Sequence, residues 1–236
     1  MKQQHIFLLL ISLFVFSSSA LTAQEDQVAD TLVYREKYGL RLGVDISKPV
    51  RSLIDADYQG LEIKGDYRIY DDYYLAAELG TEENLIAETN VTASAKGSYI
   101  KVGADYNAYN NWIGMQNMIY AGLRYGFSTF STELQEYSIY TNDSYFEPDL
   151  RVEPQEFKDL TASWIELQLG VKVEVLTNLY LGTHVELKRR VTEVKPNNFD
   201  NLYIPGFNRT YDGSFYGVGY GYSISYLIPL YKRNRL

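Results

Sequence analysis

WIELQLGVKVEVL, residues 164–176, alternates without a break. Ile165, Leu167, Leu169, Val171, Val173 and Val175 share one face, and Trp164, Glu166, Gln168, Gly170, Lys172 and Glu174 share the other. Successive side chains of a strand point to opposite faces, so a period of two sustained this far is a β signal. It leaves open which face is inside. A soluble sheet buries its aliphatic face, whereas a barrel in a bilayer turns that face outward and keeps the ions within.

The same alternation recurs at 38–47, 60–69, 73–80, 100–106, 119–127, 179–190 and 216–228. That predicts eight strands, with no helical period outside the first residues. Residues 70–72 and 176–178 read as tight turns and 107–117 as a moderate one. Residues 48–57 read as a short link, and 81–96, 131–161 and 192–213 as long connections. Short turns on one side and longer loops on the other fit an outer-membrane barrel.

Three asymmetries choose the face. Glycines 39, 43, 80, 103, 122, 126, 170, 182, 217, 219 and 221 fall on the ionic side or at its edge. A narrow lumen needs such small residues beside long charged ones, while a solvated face gains nothing from them. The last strand has no charge on either face between Tyr216 and Ile228. The ionic face is also balanced. Arg41, Lys64, Arg68, Lys101, Arg124, Lys172, Lys188 and Arg190 stand with Asp45, Glu62, Asp66, Glu78, Asp105, Glu166, Glu174 and Glu186. A confined lumen requires balance because an unpaired buried charge costs several kcal/mol. The expected fold is therefore all-β, an eight-stranded antiparallel up-and-down transmembrane β-barrel with its apolar face outward and a charged lumen. Tyr38, Tyr67, Tyr73, Tyr106 and Tyr226 are expected in one outward girdle, and Tyr125, Phe127 and Tyr216 in the other.

The start of the chain fits a secretory signal peptide. Lys2 precedes the apolar run 6–16, and small residues follow at 17–20, with cleavage after Ala20 or Ala23. The expected organisation is a signal peptide at 1–23, a flexible periplasmic segment at 24–36 and the barrel at 37–236, located in the outer membrane. The chain has no cysteine, which excludes disulfides and a lipid anchor on cysteine. Its net charge is -8; Lys2 is the only charged residue before Gln24, so the mature part carries one positive charge fewer. An acidic chain of this kind has no electrostatic footprint for nucleic acid.

GLRLGVDISKPVRSL, GSYIKVGADYNAYNNW, NMIYAGLRYGFSTF, NFDNLYIPGFNRTY and SYLIPLYKR together resemble a family of Bacteroidota outer-membrane barrels, the domain-of-unknown-function 6048 family. The resemblance covers 38–233 and implies an exported barrel. It carries over no activity, cofactor or catalytic residue.

His184 is the one histidine beyond the leader, with Glu186 two residues on along the same face. A base and its orienter would need a nucleophile, and no serine is placed by sequence to supply one. No catalytic residue is expected, and the histidine reads as hydrogen-bonded within the lumen. One histidine and no cysteine give no zinc set, and Asp143, Glu147, Asp149, Glu153 and Glu156 lack EF-hand spacing. No metal and no cofactor are expected. The stretch 196–211 carries Phe199, Tyr203, Ile204, Phe207 and Tyr211, too apolar for a fully exposed loop. It is expected either as a lid over the mouth or as a contact surface for a protein or glycan. Outer-membrane lipid is the other expected partner, and the barrel is expected to be monomeric. An interior filled by those charges, with Trp164, Tyr180 and His184, should pass no solute. Two other readings stand beside the non-enzymatic barrel: a barrel enzyme acting on lipid or lipopolysaccharide, and a soluble lipid-binding periplasmic barrel with inside and outside exchanged.

Overall fold

The structure is a computed structural model and describes residues 35–112, 115–139, 149–197, 199–211 and 213–234. The signal peptide, most of the proposed periplasmic segment, and Asp143 and Glu147 lie outside them. Eight long strands form the wall: β1 (Arg35–Asp45), β2 (Tyr58–Tyr70), β3 (Tyr73–Glu88), β4 (Val91–Asn107), β5 (Met118–Ile139), β7 (Gln155–Leu176), β8 (Leu179–Glu193) and β11 (Tyr216–Asn234). Each pairs antiparallel with its neighbours in this order, and β11 pairs with β1, so the ring closes. Three short strands accompany them: β6 (Asp149–Arg151), β9 (Tyr203–Ile204) and β10 (Asn208–Arg209).

The face question is answered by β7. Glu166 is 0% exposed and Leu169 51%. Trp164 and Gln168 are buried with Glu166, while Ile165 and Leu167 stand open with Leu169. β5 repeats this alternation along its whole membrane-length stretch. The outer wall is therefore leucine, isoleucine, valine and tyrosine, and the interior holds the ions. An apolar surface encircling a molecule is costly in water and matched in hydrocarbon. The fold is an eight-stranded up-and-down barrel of transmembrane polarity, and the exchanged, soluble version does not hold.

The turn at Thr177 and Asn178 behaves as its sequence suggests. Asn178 takes φ 66°, a left-handed position that asparagine tolerates. The resulting register sets Trp164 opposite Arg190 and Glu166 opposite Lys188.

Three expectations are corrected. Residues 47–54 form a helix, α1 (Ser47–Ile54), where no helical period was expected. The Asp45 carboxylate accepts the Ser47 N–H at 2.9 Å, and Pro49 sits in the first turn, where its missing N–H costs nothing. Residues 81–96 are not a loop: β3 and β4 run on as a paired ribbon to a turn at Thr89 and Asn90. Tyr38 faces inward, buried beside Glu36, because a bulge between Tyr38 and Gly39 reverses the faces of β1. The other tyrosines named for that girdle stay outside the core, with Tyr73 and Tyr106 in ring contact at 5.3 Å.

Candidate functional site

Among the described residues, chemistry-bearing side chains converge in the barrel interior. At mid-height Lys101 Nζ lies 3.0 Å from Glu78, 3.3 Å from Glu186, 3.4 Å from Glu62 and 3.5 Å from Glu166. One ammonium thus serves four carboxylates from four strands. Lys64 bridges Glu62 at 3.0 Å and Asp45 at 3.2 Å. Lys188 reaches Glu186 at 2.8 Å, and Arg124 reaches Asp105 at 2.7 Å and Glu78 at 3.5 Å. Gln168 Nε2 donates to Glu166 at 2.6 Å and to Glu78 at 3.1 Å. Toward the opposite end Asp66 takes both Arg41 at 3.0 Å and Lys172 at 2.7 Å.

The expected lumen residues Arg41, Asp45, Glu62, Lys64, Asp66, Glu78, Lys101, Asp105, Arg124, Glu166, Lys172, His184, Glu186 and Lys188 form one connected network. Three others stand apart. Arg68 pairs with Glu36 at 2.6 Å, Glu174 with Lys37 at 3.9 Å, and Arg190 with Glu193 at 3.2 Å. The glycines on the last strand explain how the space is shared. A Cβ on Gly221 would overlap the Asp45 carboxylate and the His184 ring.

His184 Nε2 faces Lys64 Nζ at 3.0 Å and Glu186 Oε1 at 3.1 Å. The nearby hydroxyl of Ser47 donates instead to Asp45. Ser47 and His184 are thus each engaged with other partners. Oxygens of Glu78, Glu166 and Glu186 lie within 4.8 Å of one another, a spacing a cation could bridge. Lys101 supplies that positive charge from the chain itself.

Above this layer the mouth is closed by apolar packing. The β9–β10 hairpin dips inward, and Ile204 and Phe207 join Tyr99, Phe130, Leu160, Ala162 and Trp164 in one cluster. Phe207 meets the Trp164 ring at 6.0 Å, edge to face, while Tyr203 packs on Tyr58 and Ala95. Burial of such side chains stabilises by roughly 1.5–3 kcal/mol each. The contact-surface expectation therefore fails for Tyr203, Ile204 and Phe207, which are buried because they plug the barrel. Tyr211 is exposed and Phe199 half-buried against Phe157.

Glu82 latches this plug. Its buried carboxylate accepts from Tyr203 Oη at 2.8 Å, the Gly206 N–H at 2.8 Å and Tyr58 Oη at 3.0 Å, and it pairs with Lys48 of α1. Lys188 adds a bond to the Gly206 carbonyl at 2.7 Å. Burial pulls the Lys48 ammonium down, but Glu82 and Glu62 outweigh it and hold it well above the ordinary lysine range. Burial, then the Glu82 charge, pushes the Tyr203 hydroxyl well above the ordinary tyrosine range. Glu82 and Lys48 were missed by the sequence reading. Continuing the alternation of Glu78 by two steps of two would have found Glu82. Together they add no net charge, so the interior stays balanced.

The family described as Domain of unknown function (DUF6048) matches residues 4–233. No curated protein matches the chain. Among solved structures the chain is similar to Ail, the attachment invasion locus protein of Yersinia pestis. The identity is 9% and the TM-score 0.39, over 81% of this chain and 97% of that one.

Proposed function

We infer that this chain, which belongs to the Domain of unknown function (DUF6048) family, is a small, solute-tight, non-enzymatic β-barrel of the outer membrane that serves as a scaffold for its outer rim. A Bacteroidota envelope is the setting its motifs resemble. One observation carries this reading: the wall is apolar outward while the lumen is filled twice over, by ion pairs at mid-height and by aromatic packing at the mouth. The first part supports a hydrocarbon setting, and the second supports a lumen without a continuous path for water. His184 is committed to lysine and glutamate, which supports a structural role for the one histidine in the barrel.

The test is recovery of the full chain from carbonate-washed outer membranes, followed by reconstitution in planar bilayers. Retention in the washed membrane with no stable conductance is the expected result. Long-lived, reproducible openings would replace this reading with a solute channel, and release by carbonate would remove the membrane assignment.

A further inference from the structure

The closing seam brings the two ends of the barrel sequence together. β11 parts from β8 at Tyr226 against Leu179, and β1 has no rung with β2 before Leu40 against Tyr67. At the end away from the plug the two strands therefore pair only with each other. The rungs are Tyr38 with Tyr231, Lys37 with Lys232, Glu36 with Arg233 and Arg35 with Asn234. The last three of these carry four cations, drawn from opposite ends of the chain.

These cations are matched differently from those at the plugged end. There Lys96, Lys158 and Lys195 reach carboxylates at 2.8, 2.9 and 2.7 Å, and Arg209 pairs with Glu88. On the ribbon Arg35, Lys232 and Arg233 are exposed, and among the described residues no carboxylate lies in salt-bridge range of them. The acids nearby are engaged elsewhere. Glu36 holds Arg68 at 2.6 Å, Asp71 accepts the Tyr38 hydroxyl at 2.8 Å, and Asp72 beside it also has a partner. Lys37 turns to Asn178 at 2.7 Å and Glu174 at 3.9 Å. It nevertheless stands directly opposite Lys232. Like charges across an antiparallel rung are destabilising, and an anion at this rung removes that cost.

Depth selects the anion. Ile228 and Leu230 are exposed apolar residues of β11, and the exposed Tyr231 follows them. Lys232 is two residues past Leu230, about 7 Å along the strand. The headgroup layer begins at the edge of the hydrocarbon core and is roughly 5–7 Å thick on each side. The Arg233 guanidinium lies over the exposed Tyr70 ring at 6.0 Å, and tyrosine rings favour that same layer. The anionic groups of a bilayer at this depth are lipid phosphates. We propose that the β1–β11 ribbon is a binding site for the phosphate of an anionic glycerophospholipid, in the leaflet away from the plug. A zwitterionic headgroup brings an ammonium into the same cationic field and is disfavoured.

This rests on the barrel being membrane-embedded, and the experiment separates the two. The full chain is reconstituted in phosphatidylcholine vesicles doped with a phosphatidylglycerol carrying a photoactivatable group near its glycerol backbone, irradiated and mapped by peptide mass spectrometry. Adducts should concentrate on 35–40 and 226–234. They should fall as salt rises from about 0.1 M to about 1 M, where the Debye length shrinks from ~10 Å to ~3 Å. Lys232→Gln should lower them about fivefold, the worth of one cation near a charged bilayer surface. Arg189→Gln, at the plugged end, should leave them unchanged. A phosphatidylcholine probe of the same design should label these peptides no more than the rest of the wall. Equal labelling by the two probes, or indifference to salt and to Lys232→Gln, would overturn the site while leaving the membrane reading intact. Loss of the adducts to inorganic phosphate at the probe's own concentration would overturn the lipid as occupant. Absence of adducts on every strand would overturn both the site and the membrane reading.

Discussion

The middle of the lumen and its outer mouth are both closed, but by opposite means. Around Lys101 the packing is ionic: one cation lies among four carboxylates, each shared with a further lysine, arginine or amide. Around Phe207 it is apolar, with the buried Glu82 carboxylate fixing the hairpin. The ionic layer is built on strands of the wall and cannot leave without opening the ring. The aromatic layer hangs on a short hairpin between two strands and can lift while the ring stays intact. Loss of one partner in the middle should therefore appear as global instability, and loss at the mouth as local opening.

Lys101→Met gives the largest contrast. It leaves Glu62, Glu78, Glu166 and Glu186 short of their common cation and should cost about 3–5 kcal/mol in global stability. Denaturant titration of the refolded barrel in detergent reads this directly. A cost under about 1 kcal/mol, the range of a solvated surface pair, would mean that water or a bound cation replaces the ammonium, and the layer would not be dry.

Phe207→Ala should separate the two regions. Truncating a buried phenylalanine ordinarily costs about 3–5 kcal/mol. Here that loss should fall on the plug, seen as faster amide exchange at Tyr203–Arg209 while β5 and β7 keep their protection. Equal acceleration in plug and wall would show that the mouth is part of the global unit and abolish the contrast.

The smallest effect is alkaline. Lys48 and Tyr203 both have raised folded values, so the stability each supplies is fully present below its unfolded pKa and is lost as pH rises through the folded one. The latch should be unchanged from neutral pH to about pH 10 and weaken only above it. Exchange at the Gly206 amide across that range reports it; loosening near neutral pH would contradict the latch.

Legibility along the chain followed the bilayer. Where the outward face meets hydrocarbon, as in Ile165–Leu167–Leu169, polarity alternates and both the strand and its facing could be read. Above that level both faces are wet or polar. Thr81 and Glu83 point out while Glu82 and Asn84 point in, so β3 continues without any hydrophobic period. The same loss hid the plug's latch. α1 was missed because eight residues make barely two turns, too few for a 3.6-residue period to emerge, and because its apolar residues face away from the barrel. Tyr38 was misplaced because a bulge inverts facing, and alternation carries no mark of one extra residue. In the hairpin at Asn178, by contrast, the tight turn at 176–178 was legible, and Glu166 meets Lys188 across it.

The interior face of β11 is Gly217, Gly219, Gly221, Ser223 and Ser225, and β11 is the strand that meets β1 to close the ring. Every ion of the mid-height network comes from an earlier part of the sequence. β11 therefore contributes no ion to that network between Tyr216 and Ile228. Its small residues leave room for the Asp45 carboxylate and the His184 ring, which a Cβ on Gly221 would overlap. The seam between β11 and β1 is thus joined at this height by backbone amides, while the charges beside it are paired through the other strands.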